Sequence, residues 1–426
     1  MKKIIIPHIH KIEGEAGFWA KVTKTGKIED LKIETLLGLR QIEGILIGRR
    51  FFEAPLVVSR ICGICPVPHS LAACSALEKA LNIRVSENVV LLRKLLLASN
   101  IIHSHTLHLF FLSFPDLFNI ESDLDLTKRF KKETKAALKV RETALEIAEI
   151  VGGRAVHPMT PVVGGFSKLP EKEKLKKLIS KISFALERFE DLMKTLKKAE
   201  YPSLKRKTRF ASLVSAKEYA FYSENKVRIE KEKMTIGDFY SVEIKEDLKH
   251  PPVKRVTFKG EPYMVGAIAR IKNNQRFLSS LAKKEFEEFK EKQETRDDEF
   301  FENIYFNLIS QAIEVVHFLE FSQELLKKII KNPSKDKKIE ARVKAGAGLA
   351  ALEAPRGSLF HYYEVDKEGR ISGCNIITPT AQFLANIEED LKILLPKIMG
   401  LSQKNKVRKI RSLIRVYDPC ISCATH

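Results

Sequence analysis

Arg60-Ile-Cys-Gly-Ile-Cys-Pro-Val-Pro-His69 and Asp418-Pro-Cys-Ile-Ser-Cys-Ala-Thr-His426 are two cysteine motifs near opposite ends of this chain. Each holds a pair of cysteines with two residues between them. That spacing lets both sulfur atoms of a pair converge on one metal ion. Two such pairs predict one site with four sulfur ligands, which selects soft or borderline metals such as zinc, nickel, copper and iron.

The motifs alone leave the identity of the metal open. A structural zinc site is the leading alternative for two bare cysteine pairs, and a redox-active dithiol comes next. The separation of 358 residues between Cys62 and Cys420 argues against a small zinc module, because such modules close short loops. A buried site that ties both ends of the chain together fits better. Cys74 and Cys374 lie outside the pairs and are predicted to be inert, buried thiols.

The composition is that of a soluble globular protein. Of 426 residues, 44% are apolar and 30% are charged, which excludes a disordered chain and a membrane-embedded one. The length predicts two or three domains or one large interleaved domain. The formal charge of +20 could attract nucleic acid, an anionic cofactor or an acidic partner. The basic residues are spread along the chain, however, as in solvated helix faces.

No targeting or membrane-spanning segment is predicted. The apolar run Ile4–Ile6 is too short for a secretory signal. The most apolar region, 89–114, is interrupted by Arg93, Lys94 and three histidines, which predicts a buried core helix. We therefore expect a cytoplasmic protein without direct membrane insertion. In that compartment thiols stay reduced, so six cysteines favour metal or redox chemistry over disulfides.

Hydrophobic periodicity predicts a mostly helical α+β fold with a central bundle of long helices and small β-containing regions. The expected long helices are 86–114, 126–151, 170–199 and 296–332. The expected strands are Ile4–Ile6, Phe18–Val22, Leu31–Ile33, Val227–Ile229, Tyr240–Ile244 and Val256–Phe258. We expect a single interleaved domain over 1–426, with an N-terminal α/β region (1–70), a helical bundle (86–332) with a β-rich excursion (205–271), and a C-terminal region (333–426).

The two cysteine motifs resemble the N- and C-terminal nickel-binding signatures of nickel-iron hydrogenase large subunits, in the same order and at the same two ends. Further segments resemble that family along the whole chain. They are Lys11-Ile-Glu-Gly14, Arg40-Gln-Ile-Glu43, Gly152-Gly-Arg-Ala-Val-His-Pro158, Val265-Gly-Ala-Ile-Ala-Arg270, Ala354-Pro-Arg-Gly357 and Thr378-Pro-Thr380.

The resemblance implies a bimetallic centre and a reaction. All four thiolates would bind nickel, and Cys65 and Cys423 would also bridge to an iron that carries cyanide and carbon monoxide. Cys62 and Cys420 would be terminal ligands. The reaction would be reversible heterolytic cleavage of H2, in which Cys420 takes the proton and Glu13 carries it onward.

The resemblance also implies a surrounding set of polar contacts. Arg356, held between Pro355 and Gly357, would donate to cyanide and polarise H2. Thr380, directly after Pro379, would hydrogen-bond the other cyanide, and both are expected at the cofactor. His69 would hydrogen-bond a bridging sulfur. Asp418 would remain available above the metals as an acidic catalytic group.

A second cation is implied beneath the active centre. Glu43 and His426 resemble the ligands of the buried magnesium site of the family, and a backbone carbonyl near Leu384 is expected to complete it, since oxygen ligands suit a hard cation. His426 is also where, in the family, a maturation protease leaves the C-terminus.

The sequence departs from the family at several positions. Glu15 stands where a histidine is expected, Lys11 replaces arginine, Ser104 takes the place of an aspartate, and Phe383 takes the place of an asparagine. The aspartate is typical of membrane-associated enzymes, so these departures favour the cytosolic, multimeric hydrogenases.

Electrons must leave through another polypeptide, because no further cysteine-rich cluster motif exists in the chain. The resemblance therefore implies an iron-sulfur small subunit and further electron-transfer subunits, and no nucleic acid. Three alternatives stay open: an H2-sensing homologue, a subunit of the type that forms the quinone pocket of respiratory complex I, and a zinc-bearing nucleic-acid-binding protein.

Overall fold

The architecture is that of a computed structural model, which describes residues 2–23, 27–36, 38, 41–222, 224–240, 244–247, 253–332, 339–340 and 342–426. Arg40, residues 241–243 of the expected strand Tyr240–Ile244, and residues 333–338 of the expected C-terminal region lie outside the described residues.

The described helices and strands alternate in short blocks around four long helices. The helices are α1 (Ile42–Leu46), α2 (Ala54–Val58), α3 (Pro66–Ala80), α4 (Glu87–Leu107), α5 (Phe114–Leu117), α6 (Asp123–Arg129), α7 (Lys131–Gly152), α8 (Lys172–Lys198), α9 (Ile236–Asp238), α10 (Ala267–Asn274), α11 (Ser280–Lys292), α12 (Asp297–Phe300), α13 (Asn307–Lys331), α14 (Pro379–Ile398), α15 (Gln403–Val416) and α16 (Ile421–Ala424). The strands are β1 (Lys2–Ile6), β2 (Ala16–Val22), β3 (Ile28–Thr35), β4 (Pro161–Val162), β5 (Gly165–Phe166), β6 (Ala211–Leu213), β7 (Lys226–Ile229), β8 (Glu232–Thr235), β9 (Ile244–Asp247), β10 (Arg255–Phe258), β11 (Gly346–Ala354), β12 (Gly357–Val365) and β13 (Ile371–Ile377).

The long helices α4, α7, α8 and α13 form the central bundle. Helix α4 packs against α7 and α13, and α8 packs against the same two helices. Their apolar residues recur at helical spacing and face inward, so the bundle buries one continuous apolar interior. The expectation of a mostly helical α+β fold with a central bundle is confirmed.

Two of the long helices are shorter than the periodicity predicts. A π-helical turn, His108–Ser113, follows α4, and α5 then begins with Pro115 in its first turn. The ring of His108 lies within hydrogen-bond distance of the Gln311 side chain and the Arg415 carbonyl. Both partners are far from His108 in the sequence, so the periodicity of the helical segment alone could not reveal these contacts. The expected helix 296–332 divides into α12, the 3-10 turn Ile304–Phe306 and α13.

The strands form small antiparallel sheets. β1, β2 and β3 form a meander, as do β6–β8 and β11–β13, while β4 with β5 and β9 with β10 form two-stranded hairpins. The expected strands Ile4–Ile6, Phe18–Val22, Leu31–Ile33, Val227–Ile229 and Val256–Phe258 are present, within β1, β2, β3, β7 and β10. Tyr240 is an exception, since it follows the short helix α9 in a helical turn, and β9 begins only at Ile244.

Helix α3 carries the first cysteine pair into the interior. It begins at Pro66, directly after Cys65, and proline suits the first helical turn because its missing N–H has no helical acceptor there. The helix is buried on nearly all sides and packs on α4, β11 and β12. The first cysteine pair is therefore held at the buried N-terminal end of a core helix.

The β11–β12 turn presents Arg356 to the same interior. Gly357 follows with φ of 131°, and a Cβ atom there would meet Val265 Cγ2 at 2.4 Å. Only glycine fits this close approach between the turn and residues 265–266. The approach fixes the position of the arginine.

The two ends of the chain meet at the second cysteine pair. Glu13 and Cys420 form a parallel β-bridge, and the N–H of Ile421 donates to the Glu13 carbonyl at 2.9 Å. The buried apolar residues form one cluster that extends from Ile4 to Ala424. This shared core supports the single interleaved domain, which stays a prediction.

One helical segment, Glu87–Leu117, is long and apolar enough to cross a membrane. However, 83% of its most apolar window is buried inside the protein, which is the burial of a core helix.

Candidate metal centre

The four sulfur atoms of the cysteine pairs lie together in the interior. Those of Cys62, Cys65, Cys420 and Cys423 are all within 4.8 Å of one another, and all four residues are buried. The Sγ atoms of Cys65 and Cys423 are 3.2 Å apart, and those of Cys62 and Cys420 are 3.5 Å apart. Atoms at these separations can be ligands of the same metal ion, so residues from opposite ends of the sequence form one tetrathiolate site.

The thiols of the cluster differ in the direction in which their pKa values are shifted. Hydrogen bonds from Cys420, Cys423 and Cys65 hold the pKa of Cys62 well below its usual range. Burial raises the pKa of Cys420 and of Cys423 well above the usual range. Four thiolates cannot persist side by side in a dry interior without positive charge, so binding of a metal cation would displace the remaining protons.

Glu13 lies against one thiol of this cluster, that of Cys420. Its Oε2 atom is 2.8 Å from the Sγ atom of Cys420. Ser422 donates to the same carboxylate from its hydroxyl at 2.7 Å and from its backbone N–H at 3.2 Å. Burial raises the pKa of Glu13, and the negative charge of Cys62 raises it further. The carboxyl group can therefore exchange a proton with the sulfur atom.

Arg356 and Asp418 form a buried ion pair beside the sulfur atoms. The guanidinium donates to the Asp418 carbonyl at 2.7 Å and to its carboxylate at 2.9 Å. The charges of Asp418 and Cys420 keep the guanidinium protonated in spite of its burial. Its Nη1 atom is buried and has no hydrogen-bond partner among the described residues. An unpaired donor in this position calls for an acceptor that the chain itself does not supply.

Thr380 contacts the cluster, and His69 follows Cys65 by four residues on α3. Thr380 follows Pro379 in the first turn of α14, and its Oγ1 atom accepts from the N–H of Cys420 at 3.0 Å. The hydroxyl proton can then serve a second acceptor. His69 is buried on α3, with Nδ1 at 3.2 Å from Nε2 of His361, and the latter ring reaches the hydroxyl of Tyr363. A polar chain therefore leads from α3 into the β11–β13 sheet.

Glu43 and His426 meet beneath the cluster. The Nε2 atom of His426 is 3.7 Å from Oε1 of Glu43 and 3.1 Å from the carbonyl oxygen of Ile376. The other ring nitrogen reaches the Cys423 carbonyl. Glu43 also accepts from the N–H of Ile376 and from Nζ of Lys254, the latter at 2.8 Å. Burial opposes ionisation of Glu43, but contacts with His426 and Lys254 lower the pKa of its carboxyl to about 2.

Leu384 is not part of this group. It lies inside α14, where backbone carbonyls are acceptors of helical hydrogen bonds, so its carbonyl is engaged within the helix. The carbonyl that the structure brings to Glu43 and His426 belongs to Ile376, the next-to-last residue of β13. The expectation for Leu384 is therefore corrected.

The sequence profile of the family described as "Nickel-dependent hydrogenase" matches residues 40–135 and 210–426. The chain belongs to this family. Sulfhydrogenase 1 subunit alpha of Pyrococcus furiosus is 33% identical over 426 residues, covering 99% of this chain and 97% of the relative. Sulfhydrogenase 2 subunit alpha of the same organism is 29% identical over 420 residues, covering 98% and 97%. A crystal structure of an NAD+-reducing [NiFe]-hydrogenase in the H2-reduced state superposes with a TM-score of 0.88 at 25% identity, covering all of both chains.

The resemblance to nickel-iron hydrogenase large subunits is thereby confirmed. The protein is an oxidoreductase that acts on H2. Of the positions where this hydrogenase departs from the family pattern, Ser104 is buried and its hydroxyl has no partner among the described residues. Phe383 packs against Tyr417 with ring centroids 5.8 Å apart, so an apolar contact stands where an asparagine was expected.

Four residues of the hydrogenase site escaped the sequence interpretation: Ser422, His361, Ile376 and Lys254. Ser422 lies inside the second cysteine motif, so its position between two ligands was a usable signal. Ile376 contributes only its backbone, and nothing in its side chain marks it. Lys254 and His361 are brought in by the tertiary fold alone.

Proposed function

We propose that this chain is the catalytic subunit that cleaves and forms H2 reversibly, producing protons and electrons at a nickel-iron centre held by Cys62, Cys65, Cys420 and Cys423. The observation that carries the proposal is the burial of four thiols from opposite ends of the chain within 4.8 Å of one another. All four thiolates would hold nickel, and Cys65 and Cys423 would also hold iron, as the family resemblance implies.

The residues present fit that centre. Four sulfur donors favour a soft or borderline metal, and their burial favours an ion that neutralises them. The unpaired Nη1 atom of Arg356 suits an anionic diatomic ligand such as cyanide, and the hydroxyl of Thr380 suits a second one. Pro379 fixes the first turn of α14, on which that hydroxyl depends. Carbon monoxide as the remaining iron ligand rests on the family alone.

Nickel and iron, when bound, supply the electron-accepting chemistry that heterolytic cleavage of H2 requires. The chain supplies the proton acceptor. The sulfur of Cys420 takes the proton, and Oε2 of Glu13, 2.8 Å away, receives it. Ser422 holds the carboxylate in place with two hydrogen bonds. Because burial raises the pKa of Glu13, its carboxyl binds a proton more readily than an exposed glutamate does and can release it on the way to solvent.

Arg356 and Asp418 complete the catalytic group. The carboxylate of Asp418 orients the guanidinium through a contact of 2.9 Å, so that the charge of Arg356 is fixed beside the four sulfur atoms. A fixed positive charge stabilises negative charge that develops during bond cleavage without reorganisation of solvent. His69 follows Cys65 by four residues on α3 and is proposed to orient a bridging sulfur.

An iron-sulfur small subunit is the proposed electron partner, with further electron-transfer subunits beyond it. Four large apolar side chains are exposed on the segment directly before Cys62, which comprises α1, a 3-10 turn and α2; they are Ile45, Ile47, Phe52 and Leu56. Exposed large apolar side chains concentrated in one short segment are typical of a protein interface. The segment is continuous with the loop that holds the first cysteine pair, which suits short-range electron transfer. We propose a cytoplasmic complex.

Magnesium is not carried into this proposal. The oxygen atoms that a magnesium ion would need, on Glu43 and Ile376, are both in contact with the ammonium group of Lys254. The residues beneath the centre therefore do not fit a divalent ion.

Infrared spectroscopy of the purified complex, together with metal analysis, tests the proposed function. We expect bands of iron-bound carbon monoxide and cyanide, and nickel in a one-to-one ratio with this chain. Stoichiometric zinc without such bands would refute the nickel-iron centre. Intact bands with only trace H2 turnover would instead favour an H2-sensing role, and the same preparation measures that turnover.

A further inference from the structure

We propose that the ammonium group of Lys254 is the resident cation beneath the metal centre, in the place where the family resemblance implies magnesium. The inference goes beyond the proposed function and does not depend on the reaction at the cysteine cluster. It concerns how the chain compensates the buried charge of Glu43 and fixes the segment that ends at His426.

The ammonium of Lys254 has a full set of oxygen partners. Its Nζ atom lies 2.8 Å from Oε1 of Glu43 and 3.1 Å from the carbonyl oxygen of Ile376, and it also donates to the side-chain oxygen of Asn375. A lysine ammonium has three N–H donors, and here each has one acceptor. The charge and the hydrogen-bonding capacity of the group are both satisfied.

A magnesium ion would compete for the same oxygen atoms. It requires near-octahedral ligands at about 2.0–2.1 Å, and it usually keeps several water molecules. Nζ is already hydrogen-bonded to Glu43 and to the Ile376 carbonyl, two of the three groups that meet here, so a dication bound to both would lie against a positive charge. The third, His426, directs Nε2 at the carbonyl oxygen of Ile376, which only accepts. The other ring nitrogen, Nδ1, likewise faces the carbonyl oxygen of Cys423, so both nitrogens lie against backbone oxygens.

The position of Lys254 is set by the strand that follows it. Arg255, the first residue of β10, donates to Glu388 of α14 at 2.7 Å, and both side chains are largely buried. Helix α14 packs on β10, so the backbone at Lys254 is anchored to the same helix that carries Thr380. The side chain of Lys254 is only 16% exposed, which keeps its ammonium at Glu43.

The contacts connect this cation to the cysteine cluster. Lys254 contacts Glu43, Glu43 lies 3.7 Å from the ring of His426, and the other nitrogen of that ring reaches the carbonyl of Cys423. Lys254 is thus a positioning residue for the C-terminal ligand segment. Because its charge is covalently attached, this support cannot be removed by a chelator.

Metal content and thermal stability of the purified complex test the inference. We expect the wild type to contain no stoichiometric magnesium, calcium, manganese or zinc, and to keep its Tm in EDTA. In Lys254→Met, Glu43 loses its counter-charge, so the Tm falls, and added magnesium raises it again while one ion binds per chain. Lys197→Met is the matched control, because Lys197 is 18% exposed and pairs with Glu285 and Glu288 in α11, away from the site. Its Tm should fall without any response to magnesium.

Three results would overturn the inference. One is a stoichiometric divalent ion in the wild type that is absent from Glu43→Gln. Another is ligand distances of about 2.1 Å around an ion at Glu43 in an experimental structure. The last is a Lys254→Met variant whose Tm does not change when magnesium is added, like that of Lys197→Met. If Lys254→Met does not assemble, the wild-type metal content and EDTA response still decide. Nickel content and infrared bands of the same samples report separately on the proposed function.

Discussion

The sulfur atom of Cys420 lies 2.8 Å from Oε2 of Glu13, although the two residues are 407 positions apart in the sequence. The same two residues are also joined through their backbones by a β-bridge. A proton acceptor is therefore held against one specific thiol by main-chain pairing, which does not depend on a flexible side-chain contact. This explains how a residue of the N-terminal region can belong to a site built at the C-terminus.

Glu13→Gln should retain the metals and lose proton exchange. The amide has nearly the same shape as the carboxyl group and can still accept from Ser422, but it cannot carry a proton away from Cys420. We expect unchanged nickel content and infrared bands, with H2–D2O exchange reduced by roughly 10²- to 10⁴-fold, the range for one general acid-base group. Glu15→Gln, an exposed neighbour, is the control. Full exchange in Glu13→Gln would refute the relay.

Cys420→Ala should abolish the metal centre. The remaining three thiols cannot complete the tetrathiolate site, so nickel content should fall to background and the infrared bands should disappear. Cys74→Ala is a matched control, because Cys74 is equally buried and its pKa is raised to about 12 by burial, as in an unreactive thiol. That variant should keep its nickel. Wild-type nickel content in Cys420→Ala would contradict the assignment.

The parts of the site that the sequence revealed are those with a local spacing. Two cysteines three positions apart are forced to be neighbours by the chain itself, so each pair could be recognised before any fold was known. The long helices were similarly visible, since their apolar periodicity is a local property. Only the meeting of the two pairs required the tertiary structure, and the expectation that they meet proved right.

The parts of the site and the fold that could not be predicted from the sequence depend on backbone groups and long-range contacts. Ile376 supplies a carbonyl, and any residue type can do so, whereas Leu384 was expected to supply one although helix formation engages it. Lys254 is one among 74 basic residues, and only the fold sets it against Glu43. The π-helical turn that follows α4 likewise coincides with contacts between His108 and residues about 200 or more positions away.

Arg356→Lys should separate metal binding from catalysis. A lysine can keep one contact with Asp418, but it cannot also place a donor where Nη1 of the arginine lies unpaired. We expect nickel to be retained, the cyanide bands to shift, and H2 oxidation to fall by roughly 10²-fold, as for loss of one preorganised donor. Arg415→Lys is the control, since Arg415 is also buried but pairs with Asp116 outside the cluster. Unshifted bands in Arg356→Lys would show that the guanidinium does not contact an iron ligand.

Acid should destabilise the protein through His317. Burial lowers the pKa of this histidine to about 4 from its ordinary 6.5; Nδ1 accepts from the N–H of Ser279, and Nε2 has no partner among the described residues. Between these two pH values the unfolded chain binds the proton and the folded chain does not. The contribution of the neutral His317 ring to the free energy of unfolding is therefore complete above pH 6.5. It is lost as the pH falls toward 4, with a slope of up to about 1.4 kcal/mol per pH unit.

The histidine variant His317→Gln measures this contribution. Glutamine can still accept from the N–H of Ser279 but does not titrate, so the variant should lose less Tm than the wild type between pH 6.5 and pH 4. His8→Gln, which removes an exposed ring, is the matched control and should follow the wild type. Parallel Tm curves for wild type and His317→Gln across this range would mean that the buried ring accepts a proton without cost, contrary to its unpartnered position in the core.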